Sequence, residues 1–161
     1  MRLVFGHDAD VVRWLEAKME NQIVPPWTGI AVVDDQGQIR GAHVLQPVTY
    51  CTAEWTLYSE RAMTHGVVRQ FFRHVFDDLN VHRLQIRTAR NNRAIRRAAP
   101  KWGFRFEGTA KGYWGAGRDA LMFAMDRSQC RWVTHERTPS VDANVRARGP
   151  VGVRGITDAG D

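Results

Sequence analysis

The chain has 161 residues, enough for one domain with a real core and short for two. With 43% apolar and 25% charged residues it has the composition of an ordinary globular protein. Its longest aliphatic or aromatic runs, "IAVV" at 30–33 and "LMFAM" at 121–125, fall far short of the roughly 20 residues a membrane span needs. The net charge of +6 is unevenly placed. Residues 134–161 hold four arginines against four acids, whereas 79–106 hold eight Arg or Lys and no acid. Such a window attracts phosphate-rich ligands (nucleotides, coenzymes, nucleic acids) or acidic proteins, unless it is simply a solvated basic face. The N-terminus predicts no signal peptide. Cys51 and Cys130, far apart and without spaced partners, fit two thiols in a reducing cytosol.

"RLVFG" at 2–6 reads as a short strand. Asp8 is placed to cap the helix that follows, whose Val11, Val12, Leu15 and Met19 share a face. "VPPWTG" at 24–29 breaks it. "DDQG" at 34–37 is a turn between two β-rich runs, which predicts a hairpin. "AEWTLYSE" at 53–60 is another strand. A helix over 64–80 has Thr64 as its cap and Val67, Val68, Phe71, Phe72, Val75, Phe76 and Leu79 as its apolar stripe. "HRLQIRTA" at 82–89 alternates strictly, a helix runs from Asn92 to Trp102, and Gly103 stops it. "FRFEGTAKGYW" and "DALMFAMD" are strands joined by "GAGR". The order β-α-β-β-β-α-β-α-β-β predicts a mixed sheet with helices, an α+β (α/β layered) domain over 1–133. Residues 134–161, without aromatics or periodicity, read as a flexible tail or arm that orders against a partner.

Familiar catalytic sets are missing. There is no H-E-x-x-H and no paired cysteines, so a metal site is not expected. There is no G-x-S-x-G elbow, no Walker loop and no G-x-G-x-x-G. What remains is the strand-to-helix junction "LYSERAMTHGVV" at 57–68. A helix N-terminus offers unpaired N–H groups and partial positive charge, Arg61 adds a full charge, and Gly66 sits in the first turn. An ordinary capped helix accounts for the same residues.

"VHRLQIRTARNNRAIRRAAPKWGFRFEG" resembles the second half of the GNAT acyltransferase core, in particular its RimJ/RimL-like branch. There a strand leads to an Asn-led helix and then to "K-x-G-F-x-x-E-G". Arg83, Asn92, Ala94, Lys101, Gly103, Phe104, Glu107 and Gly108 stand at the matching positions. "VVRQFFRHVFDDLNVHR" is similar to the preceding helix of that family. The hairpin with Asp119 and the ending "MDRSQCRWV" look like the small members encoded by phages and prophages. The resemblance implies a fold with two splayed parallel strands, here 53–59 and 82–89, and acetyl-CoA as co-substrate without a metal. It implies pantetheine pairing near Leu57, Tyr58 and Ser59, and pyrophosphate at Arg61, Ala62, Met63, Thr64, His65 and Gly66. Asn92 would reach the pantetheine or thiol, and Arg96, Arg97 or Lys101 the 3′-phosphate end.

The chain departs from the family at the pyrophosphate turn, where Q/R-x-x-G-x-G/A becomes "SERAMT" at 59–64, with Ala62 in place of a glycine. It departs again at Ala99, where many members carry a tyrosine general acid. Acyl transfer needs an amine stripped of a proton, a polarised thioester and proximity. Glu54 is the base candidate, and Tyr58 or Ser59 the candidates for protonating the thiolate. Each has a structural reading as well: a strand-end carboxylate, a packing aromatic, a turn cap. The leading function is N-acetylation of a primary amine on a protein N-terminus, a lysine or a small molecule, in the cytoplasm, or the host cytoplasm if phage-encoded. The acceptor is expected to be read by loops 21–29, 46–52 and 113–119. The alternatives are a GNAT-fold protein acting on nucleic acid, which the basic window would suit, and a non-enzymatic binding module. A homodimer and a tail docked on a partner fit any of these.

Overall fold

The structure, a computed structural model, describes residues 1–19 and 22–133; the tail read at 134–161 lies outside the described residues. Seven strands, β1 (Arg2–Val4), β2 (Thr28–Val33), β3 (Ile39–Pro47), β4 (Thr52–Ser59), β5 (Arg83–Ala89), β6 (Arg105–Ala110) and β7 (Ala120–Asp126), form one sheet in the order β1-β2-β3-β4-β5-β7-β6. Neighbours are antiparallel except β4 and β5, which are parallel. The helices are α1 (Asp8–Met19), α2 (His65–Arg73) and α3 (Arg93–Trp102). The element order is the predicted one.

Side chains alternate across a strand, so the sheet has two faces. On one, α1 packs Val11, Val12 and Leu15 against Ala31, Val33, Ala42 and Val44. Gly29 permits this approach: a Cβ there would lie 2.8 Å from the Asp8 carbonyl oxygen and 3.0 Å from Val11 Cβ. The other face carries α2 and α3 over a larger core that includes Trp55, Phe71, Phe72, Phe76, Ile86 and Phe104. Trp55, 2% exposed, stacks on Phe71 at 4.4 Å and lies 5.3 Å from Trp102. Its Nε1 donates to His43 Nδ1 at 3.1 Å. Burial pushes the His43 imidazole down to about 3, so the ring is neutral and Nδ1 can accept. Nε2, which then carries the proton, has no partner among the described residues.

Thr64 caps α2 as expected, its hydroxyl accepting the Val67 N–H at 3.4 Å. The helix expected to run to residue 80 is interrupted: α2 ends at Arg73 and a π-helical turn spans His74–Asp78. The wider turn keeps Val75 and Phe76 buried but leaves Leu79, expected on the stripe, 42% exposed. Arg127 donates to the Phe76 carbonyl and pairs with Asp77 at 2.8 Å, satisfying an orphan carbonyl of the helix end. Asn92 Oδ1 caps α3 through the Ile95 N–H at 3.2 Å. Gly103, at φ 109°, ends it, with the N–H groups of Gly103 and Phe104 returning to the Pro100 and Ala99 carbonyls. Several strand ends shift by a residue or two from the sequence reading, and two differences are larger in consequence. Asp8 is the first residue of α1 rather than its cap. The strand read over 104–114 pairs only from Arg105 to Ala110, and residues 111–117 form turns.

Candidate active site: a cleft where two parallel strands part

β4 and β5 pair only at Thr52–Arg83, Ala53–Leu84 and Glu54–Gln85. Beyond that point β4 stays bound to β3 as far as Ser59, and β5 to β7 as far as Ala89. The outer edges are held while the inner edges diverge. Backbone N–H and C=O groups on those inner edges therefore have no strand partner and need another one. Between them opens a cleft of about 570 Å³.

The cleft passes through the sheet. On the α2/α3 side it is lined by Trp55, Leu57, Ile86, Thr88, Asn92 and Ile95, and on the α1 side by Met19, Thr56 and Arg87; Trp114 and Arg118, from the turn before β7, also line it. Leu57 and Asn92 were expected there. Asn92 Oδ1 is engaged by its own helix, while its Nδ2 makes no hydrogen bond among the described residues.

The turn between β4 and α2 is pinned at both ends. At its start the Glu60 N–H donates to the Arg40 carbonyl at 2.8 Å, and the Glu60 carboxylate meets Lys18 at 2.6 Å and Arg40 at 3.5 Å. The hydrogen bond from Lys18, with Arg40 adding to it, holds this carboxyl below its usual range. Toward its end Met63 packs against the main core. Ser59 Oγ donates to the Arg61 carbonyl at 2.6 Å, the turn-closing role weighed against catalysis for this residue. Arg61 and Ala62 are exposed in the turn. At the head of α2, the N–H groups of His65 and Gly66 are out of reach of any intrahelical carbonyl. A Cβ on Gly66 would meet nothing within 4 Å, so the space before it is open.

Glu54 faces the α1 side at the last paired step of β4. Its Oε2 lies 3.0 Å from Arg87 Nη1 and accepts from Gln85 Nε2 at 3.3 Å. Arg87 also donates to the Tyr113 hydroxyl and lies over that ring at 4.9 Å. Tyr58, on the same face, packs against Trp14 at 6.0 Å; neither Tyr58 nor Ser59 lines the cleft. Arg96 donates to the Arg90 carbonyl at 3.1 Å and lines a separate groove over β6 and β7 with Phe106 and Phe123. Arg97 and Lys101 are exposed on α3 away from the cleft lining, and Ala99 is fully buried as packing. Loop 113–119 reaches the cleft, whereas 46–52 precedes β4, at the end remote from it.

Arg87 and Arg118 were not singled out by the sequence; Met19 was read only as part of the apolar face of α1, and Trp114 as a core or rim aromatic rather than a substrate contact. Alternation in "HRLQIRTA" already put Arg83, Gln85 and Arg87 on one face; what it lacked was the register against β4. Among the described residues no group of three or more His, Cys, Asp or Glu is placed to hold a metal, and no helix is long and apolar enough to cross a membrane.

No protein-family model and no curated protein matches the sequence. Solved structures do. A chimera of spermidine N-acetyltransferase SpeG from Vibrio cholerae and hSSAT superposes with a TM-score of 0.64 at 14% identity, over 80% of this chain and 98% of that one. Ribosomal-protein-S5-alanine acetyltransferase from Vibrio fischeri gives 0.59 at 16% identity, over 82% and 94%. Mycobacterium smegmatis RimJ, in complex with CoA-disulfide, gives 0.55 at 23% identity, over 73% and 58%. Identities this low carry the fold and leave the substrate open. The mixed seven-stranded sheet, its one parallel pair parting over a cleft, is the GNAT acyl-CoA N-acyltransferase fold.

Proposed function

We propose that this chain is an acetyl-CoA-dependent N-acetyltransferase that acts on a primary amine by direct transfer. The observation that carries the reading is the parting of β4 and β5 after Glu54–Gln85, which leaves two inner strand edges with unmet hydrogen-bonding capacity around the cleft. An extended amide-bearing chain such as pantetheine can add to such an edge as a strand does. The β4 edge near Leu57 is the pairing surface. The pinned turn, Arg61 and the free N–H groups of His65 and Gly66 suit a pyrophosphate, and Ala62 leaves that turn exposed. Asn92, which lines the same space, keeps its Nδ2 donor clear of any hydrogen bond among the described residues.

Acetyl-CoA supplies the activated acetyl thioester. The amine nitrogen forms a bond to the carbonyl carbon and the C–S bond breaks; one proton leaves nitrogen and one ends on sulfur. A β4 backbone N–H stabilises the oxygen as charge builds on it. Glu54 is the carboxylate best placed to receive the amine's proton, through water, and its ion pair with Arg87 fixes its orientation. The Ser59 hydroxyl serves the turn, and Tyr58, the other side-chain candidate, stands outside the cleft lining, so a proton from Tyr58 would reach sulfur through water. A nucleic-acid target loses support because the basic window is divided: Arg83, Arg87 and Arg90 are paired with Glu107, Glu54 and Asp119.

Calorimetric titration with CoA, beside a thiol-release assay on a panel of amines, tests the reading. Saturable CoA binding with amine-dependent thiol release is the expected result. Failure to bind CoA at millimolar concentration would overturn it and leave a binding module.

A further inference from the structure

The charged side chains lining the cleft are Arg87 and Arg118, and among the described residues no aspartate or glutamate lines it. The carboxylates near the α1-side mouth are already matched. Glu54 meets Arg87 at 3.0 Å. Asp119 meets Lys111 at 2.8 Å, the Gly112 N–H at 3.0 Å and Arg90 at 3.8 Å. The hydrogen bonds from Lys111 and Gly112 hold the Asp119 carboxyl below its usual range.

Arg118 differs from all of these. Its backbone is clamped in a tight turn, its carbonyl accepting from Trp114 and its N–H donating to Gly115, both at 3.0 Å. The residue is exposed and lines the cleft, and its guanidinium makes no hydrogen bond or ion pair among the described residues. The turn fixes where the side chain starts and leaves its charge unengaged. Arg87 is neutralised by Glu54, so among the described residues the mouth presents one unanswered positive charge. Trp114 and Met19 beside it provide an apolar wall.

A polyamine entering here would bring a second positive charge to Arg118, with no lining carboxylate among the described residues to receive it. An amine that carries a carboxylate would meet the fork-shaped donor suited to that group. The geometry points to an anionic acceptor, a primary amine bearing a carboxylate, with Arg118 as the residue that selects it. This rests on the acyl-transfer reading above. It sets the chain apart from the structurally similar spermidine enzyme. Two sources share the chemistry: a free α-amino acid, and the N-terminus of an acidic peptide.

The test uses the full chain with saturating acetyl-CoA and two matched pairs of acceptors, with rates referred to the unprotonated amine. One pair is L-phenylalanine and L-phenylalaninamide. The other is a C-terminally amidated peptide with aspartate at its second position and the same peptide with asparagine. Spermidine is the polycationic comparison. In at least one pair the carboxylate member should show kcat/KM about tenfold above its neutral partner, the scale of one charged hydrogen bond at a partly exposed site, and the pair that responds identifies the source. R118Q should bring that ratio to about one. R118E should reverse the order in favour of spermidine, a gain that a folding defect cannot produce. Equal rates within both pairs, spermidine as the best wild-type acceptor, or a ratio unchanged in R118Q would overturn the proposal. CoA binding measured in parallel separates the two readings. CoA bound without turnover of any of these acceptors overturns the anionic-acceptor inference alone. No CoA binding overturns acyl transfer and takes this inference with it.

Discussion

Asn92 has two tasks that chemistry can separate. Its Oδ1 caps α3 through the Ile95 N–H at 3.2 Å, while its Nδ2 makes no hydrogen bond among the described residues and the residue lines the cleft. Asn92→Ala removes both; Asn92→Ser keeps an oxygen for the cap and deletes the amide donor. Losing a cap costs about 1 kcal/mol, or roughly 2–4 °C in melting temperature for a chain of this length. In the absence of ligand, Asn92→Ala should therefore melt lower than the wild type, and Asn92→Ser should melt close to it. Acetyl-CoA at about 100 times its dissociation constant adds about 2.7 kcal/mol to the wild type. If Nδ2 contributes one ordinary hydrogen bond worth about 1 kcal/mol, both variants bind about fivefold more weakly. The increment at the same ligand concentration then falls to about 1.8 kcal/mol. Urea denaturation with and without acetyl-CoA reads both effects. An Asn92→Ser variant that keeps the full ligand increment would falsify the assignment of Nδ2 to the cleft. An Asn92→Ala variant as stable as the wild type would remove the capping argument.

Three further outcomes follow from packing and titration. His43 stays neutral in the folded chain down to about pH 3 but titrates near 6.5 when unfolded. The unfolded chain therefore binds more protons between those values, and this contribution to stability is complete above the upper value and lost as pH falls. The slope approaches about 1.4 kcal/mol per pH unit. His43→Phe retains a ring against Phe71 and should flatten the stability profile between roughly pH 5 and 6.5, above most of the range where carboxylates titrate. An unchanged slope would assign the acid sensitivity elsewhere. Gly29→Ala forces a methyl to 2.8 Å from the Asp8 carbonyl and should destabilise by about 1–3 kcal/mol, seen as a lower urea midpoint with an unchanged m-value. Trp55→Ala empties the centre of the aromatic core and deletes the bond to His43. A loss of about 3–5 kcal/mol is expected, together with weaker CoA binding because Trp55 also lines the cleft; a loss below 1 kcal/mol would mean that the core closes over the gap.

Features governed by near neighbours were legible in the sequence. "DDQG" announced a turn, and Asp34 holds it through Oδ1 to the Gln36 and Gln38 N–H groups. Asn92 and Gly103 bracketed α3, and Thr64 marked the start of α2. Features governed by distant partners were not. How far β4 and β5 pair depends on β3 and β7, which hold their outer edges, and no local pattern encodes that. The Glu54–Arg87 ion pair needs a parallel register between segments joined through α2. The eight basic residues of 79–106 read as one patch because they are adjacent in the chain. Folding divides them: strand alternation sends Arg83 and Arg87 to carboxylates on the α1 face, while α3 carries Arg93, Arg97 and Lys101 into solvent. Arg118 was hidden for the same reason, since a glycine-flanked turn offers no periodicity from which to infer the direction of its side chain.

A cleft open on both faces of the sheet gives the two reactants separate doorways. Under the proposed activity neither reactant needs to leave before the other arrives, so initial-rate lines should intersect, and CoA should compete with acetyl-CoA but not with the amine. The separation also divides what mutation can change. The end of α1 and the turn carrying Trp114 and Arg118 can be remodelled to suit a new acceptor while the α2 and α3 termini remain as they are. Acceptor choice can drift in such an architecture without loss of the coenzyme.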